Sequence, residues 1–313
     1  MSTAICLTPD GRFFGPALFT AARIIACSLP PEIDVVLLCE EGDIWPGYDR
    51  LDQTLRDRIT LIVTSFGPLL ADMPKMSGGS TAIYRPLVLE QVLPSRYSRL
   101  IAVDADIDVR REGLGRLAAV DLGGTPAAAA IDMIFLMDFG GPLASEFQAY
   151  RRSLGLTLAT PYLNSGVVVI DRAQWEREEL GERALRFIKA NPEACAFYDQ
   201  SGLNAVLKGR FAPLSPRFNF MGDFFILDLE TEIEPIVYHF VNRPKPREAG
   251  FAGEPRFAEA YRRWFASSPW PDFAPQPMPR VPPPVDVAFR ARLVEFLGRQ
   301  KFIDLPGLAF SRT

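Results

Sequence analysis

Four short apolar runs alternate with helix-like segments through the first hundred residues, and this alternation narrows the possible folds more than any other feature. Ala4 to Leu7, Asp34 to Cys39, Thr60 to Val63 and Leu100 to Val103 are each too short for a helix. Their near-continuous apolar character suits strands buried on both faces of a parallel sheet. Between them, Pro16 to Cys27, Leu51 to Arg58 and Ala82 to Leu93 are predicted helices. The pattern predicts a doubly wound α/β sheet with helices on both faces. Such sheets bind ligands beyond the carboxyl ends of their strands. Thr8-Pro9-Asp10 and Asp104-Ala105-Asp106 fall there.

The alternation continues. Ala127 to Ile131 is an apolar stretch ending in Asp132, and Leu163 to Ile170 is a further strand. A helix follows from Trp175 to Ala190, and another from Asp199 to Lys208 is stopped by Gly209. Ile236 to Phe240 is the last clear strand. We therefore expect one main domain over residues 1–266. Eight prolines between Pro269 and Pro284 then exclude helix or central strand, so 267–285 reads as an extended connector. Residues 286–313 form a helical tail: Asp286 caps a helix in which Phe289, Leu293, Phe296 and Leu297 recur at helical spacing. This helix is expected to dock its apolar face on the main domain. Because Arg290, Arg292, Arg299 and Lys301 lie among or beside those residues, a weak peripheral contact with the inner face of the membrane is the alternative.

A net charge of −4 gives no strongly basic balance, so nucleic acid is not an expected partner. The cysteines Cys6, Cys27, Cys39 and Cys195 are scattered, with no C-x-x-C pair, and read as buried free thiols of a reducing compartment. No long apolar stretch and no basic-then-apolar leader is present, so the cytoplasm is the expected location.

Asp104 and Asp106 end the run Leu100-Ile101-Ala102-Val103. Alternate residues of an extended strand project to one face, so both carboxylates can reach one cation. Carboxylate oxygens suit magnesium or manganese, and either ion can neutralise a nucleotide diphosphate. A surface turn with ordinary acidic residues is the competing interpretation. His239, the only histidine, ends Ile236-Val237-Tyr238, where the strand would give way to a loop. It is either a hydrogen-bonded core residue or a nitrogen ligand beside the two carboxylates, an acceptable set for manganese. Lys245, between Pro244 and Pro246, is either a solvated charge or an ammonium aimed at a diphosphate by a stiffened loop.

Further segments follow in order: Tyr162-Leu163-Asn164-Ser165-Gly166-Val167-Val168-Val169-Ile170-Asp171, Asp199-Gln200-Ser201-Gly202-Leu203-Asn204, and His239-Phe240-Val241-Asn242-Arg243-Pro244-Lys245-Pro246. With the Asp-x-Asp, Thr8-Pro9-Asp10, Tyr84-Arg85, Ala130-Ile131-Asp132 and Arg217-Phe218-Asn219-Phe220-Met221, they form an ordered set over residues 3 to 250. This set resembles glycosyltransferase family 8, which includes bacterial lipopolysaccharide galactosyl- and glucosyltransferases and glycogenin.

The resemblance implies a GT-A-type nucleotide-sugar-binding fold: a mixed, mostly parallel sheet flanked by helices. It implies a retaining hexosyltransferase using UDP-galactose or UDP-glucose with Mn2+ or Mg2+, and a glycan, glycolipid or other hydroxyl acceptor. By the same resemblance Asp104, Asp106 and His239 hold the metal. Thr8, Asp10, Arg85, Asp104, Ala105, Asp106, Asn164, Asn242 and Lys245 bind the donor. Asp132 and Asn164 face the donor sugar hydroxyls, Asp199 holds donor hydroxyls, and Gln200 lies near the anomeric carbon. From residue type alone Arg85 is also a candidate helix-surface arginine, Asn164 a turn asparagine, and Asp199 a helix N-cap. The chain departs from the family pattern at Pro9, Ser201, Asn242 and Arg247. Arg247 stands where a tryptophan is usual, and it offers a second phosphate or acceptor contact. These departures motivate the alternative of a nucleotide-sugar-binding protein with degenerate catalysis. A phosphatase using Asp104 or Asp106 as nucleophile fits less well, because the pair falls on about the fourth strand and not the first.

Overall fold

The computed structural model describes residues 2–75, 79–241, 245–248, 254–273 and 284–304. Ten strands form in chain order: β1 (Ser2–Leu7), β2 (Ile33–Cys39), β3 (Ile59–Val63), β4 (Tyr97–Val103), β5 (Ile107–Val109), β6 (Ala127–Ile131), β7 (Leu163–Asp171), β8 (Ala212–Leu214), β9 (Phe220–Met221) and β10 (Val237–His239). The predicted strands are all present, within a few residues at each end. Seven build one sheet in the order β3-β2-β1-β4-β7-β6-β8. β3, β2, β1 and β4 run parallel, β7 is antiparallel to both β4 and β6, and β8 returns parallel to β6. A second sheet, β5-β10-β9, packs beside it.

Strand periodicity explains the core. Ala4 and Cys6 of β1 point into one apolar cluster and Ile5 and Leu7 into another. Leu100 and Ala102 of β4 alternate in the same way with Ile101 and Val103. Each face is covered, which is why these strands read as unbroken apolar runs. The helix Phe14–Ala26 covers one face, and Leu180–Ala190 with Tyr198–Leu207 covers the other. All four cysteines are unpaired; Cys6, Cys39 and Cys195 are buried and Cys27 is half-buried.

Two predicted helices take different forms. Ala82–Val88 is a 3-10 helix followed by a single α-turn, Leu89–Val92. Pro86 sits inside it and has no N–H for an α ladder. Leu180–Ala190 crosses this segment so closely that a Cβ on Gly181 would stand 1.8 Å from the Leu87 carbonyl oxygen. The stretch predicted as one helix from Trp175 to Ala190 is divided into Arg172–Arg177 and Leu180–Ala190, because Glu179 takes a left-handed backbone (φ 50°).

The helix Val287–Arg299 is capped by Asp286, whose carboxylate accepts from the Phe289 N–H at 2.9 Å. Phe289, Leu293 and Leu297 are buried, and Phe296 stacks on Phe139 at 4.1 Å. Arg290 donates to the Leu227 and Asp228 carbonyls, and Arg292 to that of Phe139. The apolar face thus docks as expected, and two of the basic residues offered for a membrane contact bond carbonyls of the main domain, Arg290 half-buried and Arg292 exposed. Among the described residues no helix is long and apolar enough to cross a membrane. Residues 274–283 of the predicted connector lie outside the described residues.

Candidate functional site

The Asp-x-Asp pair does not lie on an extended strand. β4 stops at Val103, and residues 104–106 turn the chain from the large sheet into β5 of the small one. The turn is held at both ends: the Asp104 N–H donates to the Gly166 carbonyl of β7 at 2.9 Å, and the Asp106 carbonyl accepts from the Phe240 N–H at 3.1 Å. Thr20, on the first helix, donates from Oγ1 to the Ile107 carbonyl at 2.8 Å. Antiparallel pairing of β5 with β10 sets His239 opposite Ile107, and this register brings the histidine to the carboxylates.

His239 Nε2 lies 3.5 Å from Asp104 Oδ2 and 3.3 Å from Asp106 Oδ1. One ligand atom from each of the three residues falls within 4.8 Å of the others. Asp106 Oδ1 is buried without a hydrogen-bond partner among the described residues, an arrangement that is costly unless a cation completes it. Two carboxylates and an imidazole are also an oxygen and nitrogen set suited to Mn2+ or Mg2+. The residues therefore fit the divalent cation that the sequence pattern implies. Asp104 keeps 43% side-chain exposure at the mouth of the site. Burial of its surroundings and the neighbouring Asp106 charge push its pKa up to about 6. Burial acts on Asp106 in the same direction, but Lys245 and His239 outweigh it and hold this carboxylate well below its usual range.

Lys245 is no solvated surface charge. It is 5% exposed, with Nζ 2.7 Å from Asp106 Oδ2 and 3.1 Å from the Val241 carbonyl, and it also donates to the Phe240 carbonyl. Its ammonium therefore lies at the edge of the carboxylate cluster.

Beside these carboxylates is a second cluster of buried polar side chains. Asp132 caps the helix Met133–Leu136 through Oδ1, which accepts from the Ile134 N–H at 2.7 Å. Its Oδ2 accepts from Asn164 Nδ2 at 2.6 Å and from Gln200 Nε2 at 3.4 Å. Gln200 Oε1 in turn accepts from the Ser165 N–H at 3.0 Å. Asp199 is not the N-cap that its position allowed; Phe197 takes that place and Asp199 is buried in the first turn. Tyr198 holds a left-handed backbone (φ 48°), a strained choice for an aromatic residue that turns Asp199 and Gln200 inward. Burial raises Asp132 to about 6, and burial with the Asp104 charge raises Asp199 to about 8. Ser201 is fully buried, bonded to the Tyr150 hydroxyl at 2.7 Å and the Phe197 N–H at 2.9 Å.

The third region borders the carboxyl end of β1. Half-buried Thr8 precedes Asp10, whose carboxylate accepts from the N–H groups of Arg12 and Phe13 at 3.0 and 3.2 Å. Arg85 is not a surface arginine. It is 4% exposed, pairs with Asp43 at 2.8 Å and Glu40 at 3.2 Å, and donates to the Pro9 carbonyl. It thereby braces the Pro9 turn against the loop after β2. The Arg247 guanidinium lies 4.5 Å over the Phe13 ring and 3.7 Å from Glu248, and it is buried. Asn242 lies outside the described residues.

Sequence reasoning passed over two residues as members of the site. Asn219 bonds both His239 Nδ1 (2.9 Å) and Asn164 Oδ1 (2.7 Å). Its signal was available: one amide inside the otherwise apolar Phe218–Met221 needs buried partners. Gly166 is the other. A Cβ there would stand 2.2 Å from His239 Cε1, so only glycine lets β7 approach the imidazole.

A family model described as Glycosyl transferase family 8 matches residues 52–248. General stress protein A of Bacillus subtilis (strain 168) is 26% identical over 180 residues, covering 53% of this chain and 58% of that protein. Lipopolysaccharide 1,2-glucosyltransferase of Escherichia coli (strain K12) is 24% identical over 239 residues, covering 72% of this chain and 64% of that protein. The matches thus span about three-fifths of the length of these curated relatives. A crystal structure of the galactosyltransferase LgtC in complex with donor and acceptor sugar analogues superimposes with a TM-score of 0.67 at 20% identity, covering 82% of this chain and 95% of that one. The glycosyltransferase GlyE of Streptococcus pneumoniae TIGR4 gives a TM-score of 0.58 at 18% identity, covering 85% and 64%. These structures share the fold: a single α/β domain of GT-A type with a mixed, mostly parallel sheet flanked by helices.

Proposed function

The chain belongs to glycosyltransferase family 8, and from that premise we propose that it is a retaining, metal-dependent transferase that moves a hexose from UDP-galactose or UDP-glucose to a hydroxyl of a carbohydrate or glycolipid. One observation carries this reading: a carboxylate and imidazole cluster able to hold a cation, backed by a buried lysine, adjoins a second cluster of carboxylates and amides, groups of the kind that bind sugar hydroxyls. Asp104, Asp106 and His239 would hold the ion. When bound, it supplies Lewis-acid stabilisation of the departing diphosphate.

The remaining roles belong to side chains. Lys245 offsets charge developing on the leaving group, in a setting dry enough for that charge to matter. Asp132, Asn164 and Asp199 orient the sugar through its hydroxyls. Gln200 is an amide and a poor nucleophile beside a carboxylate, so it supports the anomeric centre by orientation. The acceptor oxygen forms its bond to C1 on the face from which UDP leaves, the C1–phosphate oxygen bond breaks, and the acceptor proton passes to a phosphate oxygen. An α-configured donor then yields an α-linked product.

A lipopolysaccharide-type acceptor is favoured by the lipopolysaccharide glucosyltransferase among the relatives. The unpaired thiols suit a reducing compartment, and the cytoplasm is the proposed place of action. The test is a panel of UDP-sugars with Mn2+, reading out UDP release with and without saccharide acceptors and in excess chelator. Metal-dependent release from a UDP-hexose, with an α-linked first product by proton NMR, is expected. A large axial–axial H1–H2 coupling, showing a β-galactoside or β-glucoside, would exclude retention, and full turnover in chelator would exclude the metal.

A further inference from the structure

The polar groups behind the candidate metal site form one chain whose direction is fixed by a backbone donor. The Gly166 N–H can only donate, and it meets Asn164 Oδ1 at 2.9 Å. That oxygen is therefore an acceptor, and the Asn164 amide nitrogen is turned toward Asp132 Oδ2 at 2.6 Å. Asn219 lies 2.7 Å from the same Asn164 oxygen, so it must present its NH2 group there. Its own carbonyl oxygen then faces His239 Nδ1 at 2.9 Å. A carbonyl accepts and never donates, so Nδ1 carries the proton. In the neutral ring, Nε2 keeps its lone pair toward Asp104 and Asp106. Asn164, Asn219, His239 and Asp132 are 4%, 0%, 3% and 6% exposed, so water does not compete for these contacts.

We propose that Asn219 is a positioning residue with two tasks: it reserves His239 Nε2 for a divalent cation by holding the proton on Nδ1, and it aligns Asn164 toward the carboxylate of Asp132. The first task rests on the cation reading given above, the second on the donor reading. A hydrogen bond to the far nitrogen of a metal-binding imidazole fixes its tautomer and ring orientation, and its loss typically lowers metal affinity about 10- to 100-fold. Here the supporting group is an amide that also bonds Asn164 of the neighbouring polar cluster. The Asp104–Asp106–His239 cluster and the Asp132 cluster are therefore joined by hydrogen bonds within the protein.

The single histidine gives a direct test, because labelled imidazole produces one unambiguous set of nitrogen signals. In the wild-type protein, 15N NMR should show a slowly exchanging proton on Nδ1, and titration with diamagnetic Mg2+ should shift Nε2 most. A neutral ring protonated on Nε2 and bare on Nδ1 would overturn the proposal, and this measurement needs no variant. Binding of Mn2+ alone, read from the free-ion EPR signal, separates the two tasks. Asn219→Ala should weaken Mn2+ about 10- to 100-fold. Asn219→Asp retains an oxygen for Nδ1 but loses the NH2 for Asn164. It should keep Mn2+ affinity near wild type while losing the extra affinity of a UDP-hexose over UDP. Unchanged Mn2+ binding in Asn219→Ala, or equal losses in both variants, would refute the division of roles. Correct NMR and Mn2+ results with no transfer to any acceptor would count against the transferase reading and leave the positioning of His239 intact.

Discussion

Lys245→Ala tests both the folding and the chemistry of the site. The Lys245 and Asp106 side chains are 6% and 14% exposed, and Nζ lies 2.7 Å from Oδ2. At an effective dielectric near 20 that separation corresponds to about 6 kcal/mol of attraction, from which desolvation of both ions takes back several. Deleting one partner leaves the other charge buried, and such deletions cost about 3–5 kcal/mol. For a chain of 313 residues the melting temperature should fall by about 5–8 °C. Turnover should fall separately. Loss of one preorganised electrostatic group costs about 2–4 kcal/mol of transition-state stabilisation, or about 30- to 900-fold in rate. Mn2+ distinguishes the two effects, because a cation restores positive charge beside Asp106. It should raise the melting temperature of Lys245→Ala more than that of wild type, yet leave most of the rate deficit in place. Lys245→Arg should recover only part of the rate, since a planar guanidinium does not replace a compact ammonium. Differential scanning fluorimetry with and without Mn2+, beside steady-state kinetics at saturating metal, makes the comparison. An alanine variant with unchanged melting temperature and unchanged turnover would refute the reasoning.

Asp106→Asn keeps volume but removes ligand charge, and it should lower turnover more than about 100-fold while circular dichroism remains native; substantial activity would remove Asp106 from the ion site. Gly166→Ala sets a methyl group 2.2 Å from His239 Cε1 and 3.0 Å from Asn164 Oδ1, so the imidazole must move and Mn2+ affinity should drop. Overpacking of this kind costs about 1–3 kcal/mol, and wild-type Mn2+ binding in this variant would show that β7 has room to retreat. Asp199 is held near a pKa of about 8 by burial and by Asp104, above its ordinary value, so its folded form takes up a proton that the unfolded chain has released. That penalty grows from about pH 4 to about pH 8, so Asp199→Asn should stabilise the metal-free protein increasingly over this range; a pH-independent difference in melting temperature would contradict it.

Strands β1, β2, β4, β6 and β7 could be located from sequence because burial on both faces leaves unbroken apolar runs such as Val35 to Cys39 and Val167 to Ile170, whereas the edge strand β3 is only partly buried although its run is apolar. Helix subtypes were less accessible. Pro86 and the contact of Gly181 with the Leu87 carbonyl decide the form of residues 82–92, and the second partner lies nearly a hundred residues away. Asp104, Asp106 and His239 were identified as candidates by residue type and order, and the structure brings them together. Their actual geometry, a turn between two sheets, depends on β5 pairing with β10, which no local pattern encodes. Arg85 shows the same limit. Its sequence context admits a helix surface, and only the loop acids Glu40 and Asp43 make it a buried anchor. Asn242 and the connector at 274–283 lie outside the described residues.

The reversal of β7 explains how one edge of the sheet gathers the whole site. Parallel strands deliver their carboxyl ends to the binding edge, and here β1 brings Thr8, β4 brings Asp104 and β6 brings Asp132. β7 runs antiparallel to β4 and β6, so its beginning reaches that edge, with Asn164 and Gly166 in its first turn of pleat. A strand's start carries amides and glycine more readily than its buried middle, which must be apolar on both faces. The inversion therefore puts a polar Asn-Ser-Gly segment between the two carboxylate groups without cost to the core. It also directs the Gly166 carbonyl to the Asp104 N–H and the Gly166 N–H to Asn164. One residue of β7 thus holds the Asp104–Asp106 turn with one backbone group and sets the direction of the amide chain to His239 with the other.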